Sequence, residues 1–188
     1  MFTQVELLRV VAVIAKKQDR NRLVSRRSII THLLEDLLSE KASKDHGYFL
    51  AITGLKSVGK GKLVDESNVL FPVVFDCRTF IPSRGEILEG VVYRVNNIGV
   101  FMKCGPVKYA FLSARKMPKY QYTPGESPIF MNDELSKIAK DTVIRFLVLA
   151  VKWVETRNDI KKEFLILASL EGDSLGPIAL SGFDESDL

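Results

Sequence analysis

At 188 residues, with 46% hydrophobic and 27% charged side chains, the chain has the composition of one ordinary folded domain or two small ones, which excludes a disordered or low-complexity protein. Lys and Arg number 27 against 23 Asp and Glu, a formal charge of +4 that permits contact with nucleic acid without histone-like density. Two cysteines, Cys77 and Cys104, are too few for a disulfide framework and lack the C-x-x-C spacing of a zinc site, so a reducing compartment is expected, with no metal and no cofactor.

Residues 1–15 alternate among β-branched and apolar side chains and read as a strand. The run VELLRVVAVIA within it is interrupted by Glu6 and Arg9 and lacks a basic leader, so neither a signal peptide nor a membrane span is expected, and the chain reads as a soluble intracellular protein. A basic cluster follows, made of Lys16, Lys17, Arg20, Arg22, Arg26 and Arg27. Over 22–43 the period changes: Ile29, Ile30, Leu33, Leu34, Leu37, Leu38 and Ala42 recur at three- and four-residue spacings and predict a helix with one apolar stripe, closed by Gly47.

YFLAIT (48–53) predicts a short strand. GLKSVGKG (54–61) then comes one residue short of the Walker A pattern, with Gly61 where Ser or Thr would ligate magnesium. A phosphate-binding loop also needs a helix N-terminus behind it, and here turn residues and a second long strand, LFPVVFDCRTF, follow. A glycine-rich turn between strands is therefore the better reading than a nucleotide site.

FIPSRGE (80–86) carries Pro82, Ser83 and Gly85 and marks a boundary between domains 1–81 and 82–178. Beyond it EILEGVVYRV, GVFMKC, KYAFLSA, TVIRFLVLAVKWV and KEFLILASL predict five short strands, which suit an OB-type barrel. The connection 115–141 holds three prolines without a steady period and is expected to be a surface excursion with a helical turn near 133–139. LEGDSLGP reads as a turn rather than a catalytic pair at Glu171 and Asp173, and residues 179–188 as a flexible acidic tail. His32 and His46 have no nucleophile or carboxylate fixed around them, and no catalytic residue is expected.

Strand alternation sorts the barrel side chains. With Val92, Val100, Met102, Ala110 and Leu112 inside, Tyr93, Phe101, Lys103, Tyr109 and Phe111 point outward. Rings and a lysine on one sheet face suit single-stranded RNA, because bases stack on rings while cations follow phosphates; Arg94, Lys108, Arg115, Lys116 and Lys119 are candidates for the phosphates.

Gly85, Gly90, Val92, Val95, Gly99, Phe101 and the FLS of 111–113 resemble the ribosomal protein S-one type of RNA-binding barrel. In that family the aromatic after the second-strand glycine, here Phe101, contacts RNA; the third-strand position often held by His is here Phe111, and Ile98 replaces the aromatic frequent before the glycine. In order, the N-terminal MF strand, the basic helix, GYFLAIT, VGKGKL, LFPVVF, RGEILEGVV, GVFMKCGP and LEGDSLGP are similar to the seventh-largest subunit of eukaryotic nuclear RNA polymerases. KMPKYQYTPGESPIFMN and VKWVE look more like the plant polymerase IV and V version than that of polymerase II.

That resemblance implies an α+β chain, with a truncated RNP-like N-terminal domain and a five-stranded OB-fold barrel. It also implies a nuclear, non-catalytic stalk subunit that pairs with the fourth-largest subunit and docks on the largest subunit and core through Val58, Gly59, Lys60, Gly61 and Lys62. The barrel would then meet nascent single-stranded RNA, and the branch would connect the chain to RNA-directed DNA methylation. The competing reading is a free RNA-binding protein of ribosome or RNA-decay machinery, which needs the barrel but not the VGKG tip.

Overall fold

The computed structural model describes residues 1–14, 25–64, 68–155 and 162–178. Lys16, Lys17, Arg20 and Arg22 of the basic cluster and the acidic tail 179–188 lie outside them. The fold is mostly β, and the chain divides into two units, Met1–Ile81 and Pro82–Leu188. Among the described residues no helix is long and apolar enough to cross a membrane.

In the first unit β1 (Phe2–Ile14) obeys its alternating pattern: Leu7, Val11 and Val13 are buried, whereas Leu8, Val10 and Ile14 are exposed. Helix α1 (Arg26–Glu40) begins where the Ser25 hydroxyl accepts the Ser28 amide at 3.1 Å, an N-cap that the polar residue before the apolar stripe supplies. It ends at Glu40, not at Gly47: the C-cap residue Lys41 turns to φ +62° and donates its amide to the Leu37 carbonyl at 2.9 Å. The buried stripe is also narrower than the sequence suggested. Ile29, Leu33 and Leu37 face the core, while Leu34 and Leu38 are 40% and 72% exposed.

After α1 come β2 (Ala42–Ser43), β3 (Gly47–Val58), β4 (Lys62–Leu63) and β5 (Asn68–Phe80). Gly47 opens β3 at φ +77°, where a Cβ would lie 2.2 Å from the Phe80 carbonyl oxygen, so its role is in the sheet rather than at the helix end. The sheet runs β1-β5-β3-β2, with β4 on β5, and β1 pairs antiparallel with β5 from Phe2↔Phe80 to Ile14↔Asn68. Helix α1 covers one face through Ile29, Leu33 and Leu37, packed with Val11, Val73, Phe75 and Cys77.

The second unit contains β6 (Ile87–Asn96), β7 (Gly99–Cys104), β8 (Val107–Ser113), a 3-10 turn (Ala114–Lys116), β9 (Gln121–Thr123), β10 (Ile129–Met131), β11 (Lys137–Ile138), β12 (Val143–Glu155), β13 (Lys162–Ser169) and β14 (Gly176–Pro177). Five strands close into a ring: β6-β7-β8 are antiparallel neighbours, β8 pairs parallel with β13, β13 antiparallel with β12, and β12 antiparallel with β6. Closure removes the exposed sheet edges that an open sheet would present. Val92, Val100, Met102, Ala110, Leu112, Ile144, Phe146, Val148, Ile166 and Ala168 fill the barrel.

Residues 115–141 depart from expectation. They form a small sheet, β11-β10-β9, rather than a loose excursion, and 133–139 contains a turn and β11 instead of a helical turn. Phe130 packs on Tyr122 with ring centroids 5.4 Å apart, and Met117, Phe130 and Ile138 are buried. Strands of two or three residues are too short to leave a readable period, which is why the sequence pattern missed them.

Candidate nucleic-acid interface and tip loop

The outer surface of β6, β7 and β8 carries a row of three rings. Tyr93 and Phe101 have centroids 6.4 Å apart, and Phe101 and Phe111 4.8 Å apart, both pairs tilted. Phe101 and Phe111 sit opposite each other across β7 and β8, which fixes their contact by register. All three rings are half-buried, so the row offers edges and partial faces rather than freely projecting plates.

A β-bulge shapes the β6 end of this row. Val92 pairs with Met102 but Arg94 pairs with Phe101, leaving Tyr93 as the extra residue. Strict alternation would send Arg94 to the side opposite Tyr93. The bulge instead lets both reach Phe101, with the Arg94 guanidinium 6.0 Å from that ring and the Lys103 ammonium 5.7 Å from the Tyr93 ring. Burial foremost, and the neighbouring Tyr109 next, push the Tyr93 phenol above its ordinary value, so it stays a neutral hydrogen-bonding group near neutral pH.

A second register shift lies between Met102 and Cys104, where Lys108 and Tyr109 both stand across from Lys103, and all three are exposed. Arg115 is exposed beyond β8, in the 3-10 turn whose Ser113 hydroxyl accepts its amide. Tyr93, Phe101, Lys103, Tyr109, Phe111 and Arg94 therefore cluster, while Lys108 and Arg115 flank the cluster along β8. Lys116 is engaged elsewhere: its ammonium meets Glu171 at 2.9 Å, an ion pair between residues far apart in sequence that the pattern could not reveal.

The GLKSVGKG stretch is divided between two strands. Gly54, Leu55, Lys56, Ser57 and Val58 continue β3, residues 59–61 make the tip, and Lys62 begins β4. The Gly59 amide donates to the Pro72 carbonyl at 2.7 Å, and a Cβ there would lie 2.5 Å from the Pro72 ring; at Gly61 it would lie 2.6 Å from the Phe71 ring. The glycines therefore let the backbone lie directly on β5. Among the described residues the loop is followed by β4 and β5 and not by a helix, so it lacks the helix N-terminus of a phosphate site. Lys60 and Lys62 are exposed beside Val58, Leu63 and Val64, giving the tip both cations and uncovered apolar side chains.

Nearby Lys56 is committed to Glu6 at 2.7 Å and Asp76 at 3.3 Å, hydrogen bonds that raise its ammonium above the usual lysine range, Glu6 first. His32 Nδ1 lies 2.9 Å from the Ser28 carbonyl oxygen within its own helix. Among the described residues, no group of three or more His, Cys, Asp or Glu side chains is arranged to hold a metal ion. Glu171 caps its own turn, its amide donating to the Ser169 hydroxyl at 3.0 Å.

No family model matches the chain. Three Arabidopsis thaliana proteins are similar to it over most of their lengths. The DNA-directed RNA polymerase V subunit 7 is 46% identical over 180 residues, covering 95% of this chain and 99% of that protein. The polymerase IV subunit 7 is 42% identical, covering 94% and 99%, and the polymerase II subunit 7 is 35% identical, covering 85% and 93%. With end-to-end coverage and higher identity to the IV and V proteins than to the II protein, the chain belongs to the seventh-subunit family of DNA-directed RNA polymerases, in its plant polymerase IV and V type.

Proposed function

We propose that the chain is a non-catalytic stalk subunit of plant RNA polymerase IV or V, acting in the nucleus in RNA-directed DNA methylation. Its first unit is a truncated RNP-like domain, and Val58, Gly59, Lys60, Gly61 and Lys62 at the tip dock on the largest subunit and core. The fourth-largest subunit is its heterodimer partner. The long β1 strand, which among the described residues shares a sheet ladder with β5 only and exposes Leu8, Val10 and Ile14, supports a protein partner for this unit.

The second unit is an OB-fold of the ribosomal protein S-one type. Its strands close in the order β6-β7-β8-β13-β12, with β8 and β13 parallel, and this connectivity supports the assignment. The barrel contacts nascent single-stranded RNA through Tyr93, Phe101, Lys103, Lys108, Tyr109, Phe111 and Arg115. The observation that carries the RNA reading is the row Tyr93–Phe101–Phe111 with Arg94 and Lys103 set over its rings. Stacking contributes roughly 1–3 kcal/mol per base, enough to hold a strand without reading its sequence.

Affinity purification of the tagged chain from plant nuclei, followed by mass spectrometry, tests this function. Recovery of a fourth-largest and a largest polymerase subunit is expected, with the largest subunit lost when Lys60 and Lys62 are replaced by Glu. Recovery of ribosomal or RNA-decay factors without polymerase subunits refutes the stalk and leaves a free RNA-binding barrel.

A further inference from the structure

At the β6 end of the ring row lies a cavity of about 360 Å³, bordered by Tyr93 and Arg94 on one side and by Glu126, Ser127, Pro128 and Lys140 on the other. Its walls are held by specific bonds. The Asp141 amide donates to the Val92 carbonyl at 2.8 Å and the Val92 amide to the Thr142 carbonyl at 3.0 Å, which pins the segment carrying Lys140 against β6. The Ala139 amide donates to the Thr142 hydroxyl at 3.1 Å and braces the same segment. Opposite it, the turn from β9 to β10 is stiffened by Pro128, whose φ the ring fixes.

The lining has the composition of a nucleotide site. Tyr93 and Pro128 contribute apolar rings to the lining, and Ser127 and Glu126 add a hydroxyl and a carboxylate that can hydrogen-bond a base edge. Arg94 and Lys140, both exposed, add two cations to the lining that can meet a phosphate. Because the bulge turns Tyr93 and Arg94 together toward Phe101, the cavity is continuous in chemistry with the ring row: a strand stacked on Phe111 and Phe101 reaches Tyr93 next. The volume falls within the range of small-molecule pockets and accommodates a single nucleotide.

We propose that this cavity captures one unstacked nucleotide of a single-stranded RNA lying across β8, β7 and β6, so that the 115–141 segment forms an RNA subsite at the end of the stacking row. The inference rests on the reading of the barrel face as an RNA surface. The segment then acts as a stop that sets the length of RNA held.

The test uses the full chain and fluorescently labelled oligouridine carrying a terminal 4-thiouridine, with Phe101→Ala as a control on the stacking row. Anisotropy across a salt series and photo-crosslink mapping are read together. The wild-type chain is expected to crosslink within 126–140, and Phe101→Ala to weaken binding about tenfold. Lys140→Glu, at an exposed position where folding is preserved, is expected to lower the salt slope by about 0.7, the loss of one phosphate contact to a single strand. Crosslinks confined to 99–113, with the Lys140→Glu slope unchanged while Phe101→Ala still weakens binding, overturn the subsite and leave the RNA surface standing. Wild-type protein that binds no oligouridine, or binds it indifferently to Phe101→Ala, overturns both.

Discussion

Gly99 shows how much one missing side chain decides. It sits at φ +151°, and a Cβ would lie 2.2 Å from the Leu112 carbonyl oxygen and 3.0 Å from the Phe111 ring. Gly99→Ala must therefore push β7 away from β8 at the point where the ring row is built. A loss of about 3 kcal/mol or more is expected in urea unfolding, with weaker RNA binding because Phe111 moves. Cys104, only 4% exposed, makes a different prediction. Burial pushes its thiol up to about 11, so alkylation of the native protein at pH 8 should run at least about a hundredfold slower than that of a free thiol. Because the folded value is the raised one, the neutral thiol stabilises the fold in full below its unfolded value of about 8.5. That contribution fades as pH climbs through about 11. Cys104→Ala should flatten the fall of Tm over this alkaline window.

Among the elements, α1 separates packing from mere apolarity. Leu33 is fully buried, so Leu33→Ala should cost about 2–5 kcal/mol in thermal or urea unfolding. Leu38, on the same sequence stripe but 72% exposed, should tolerate Leu38→Glu within about 0.5 kcal/mol. The sequence carried the helix because three-residue spacing is a property of the element itself. It could not tell which of Leu33, Leu34, Leu37 and Leu38 meets the sheet, since that depends on the angle at which the helix lies. The barrel strands were legible for a similar reason: Val92, Val100, Met102, Ala110 and Leu112 alternate and all are fully buried. A period of two has no means of recording an inserted residue, so the bulge at Tyr93 that brings Arg94 onto Phe101 was hidden. The wall around Lys140 was hidden too, because it is held by bonds between Val92 and residues near 141, distant in sequence.

For the molecule as a whole, every strand pairing described remains inside one of the two units. A fragment of residues 82–188 is accordingly expected to fold alone, with a cooperative melt and the oligouridine affinity of the full chain, and a fragment of 1–81 to bind no RNA. Loss of the barrel's dispersed amide NMR spectrum in the isolated fragment would count against this independence.

The parallel pairing of β8 with β13 governs the order in which the protein can be made. The ring stays open until Lys162–Ser169 arrives, so a ribosome must translate through Ser169 before the barrel can form. Until then β8 and β12 each present an unpaired edge, and the nascent barrel depends on its last long strand for protection against aggregation, whereas β1 and β5 of the first unit can already be paired.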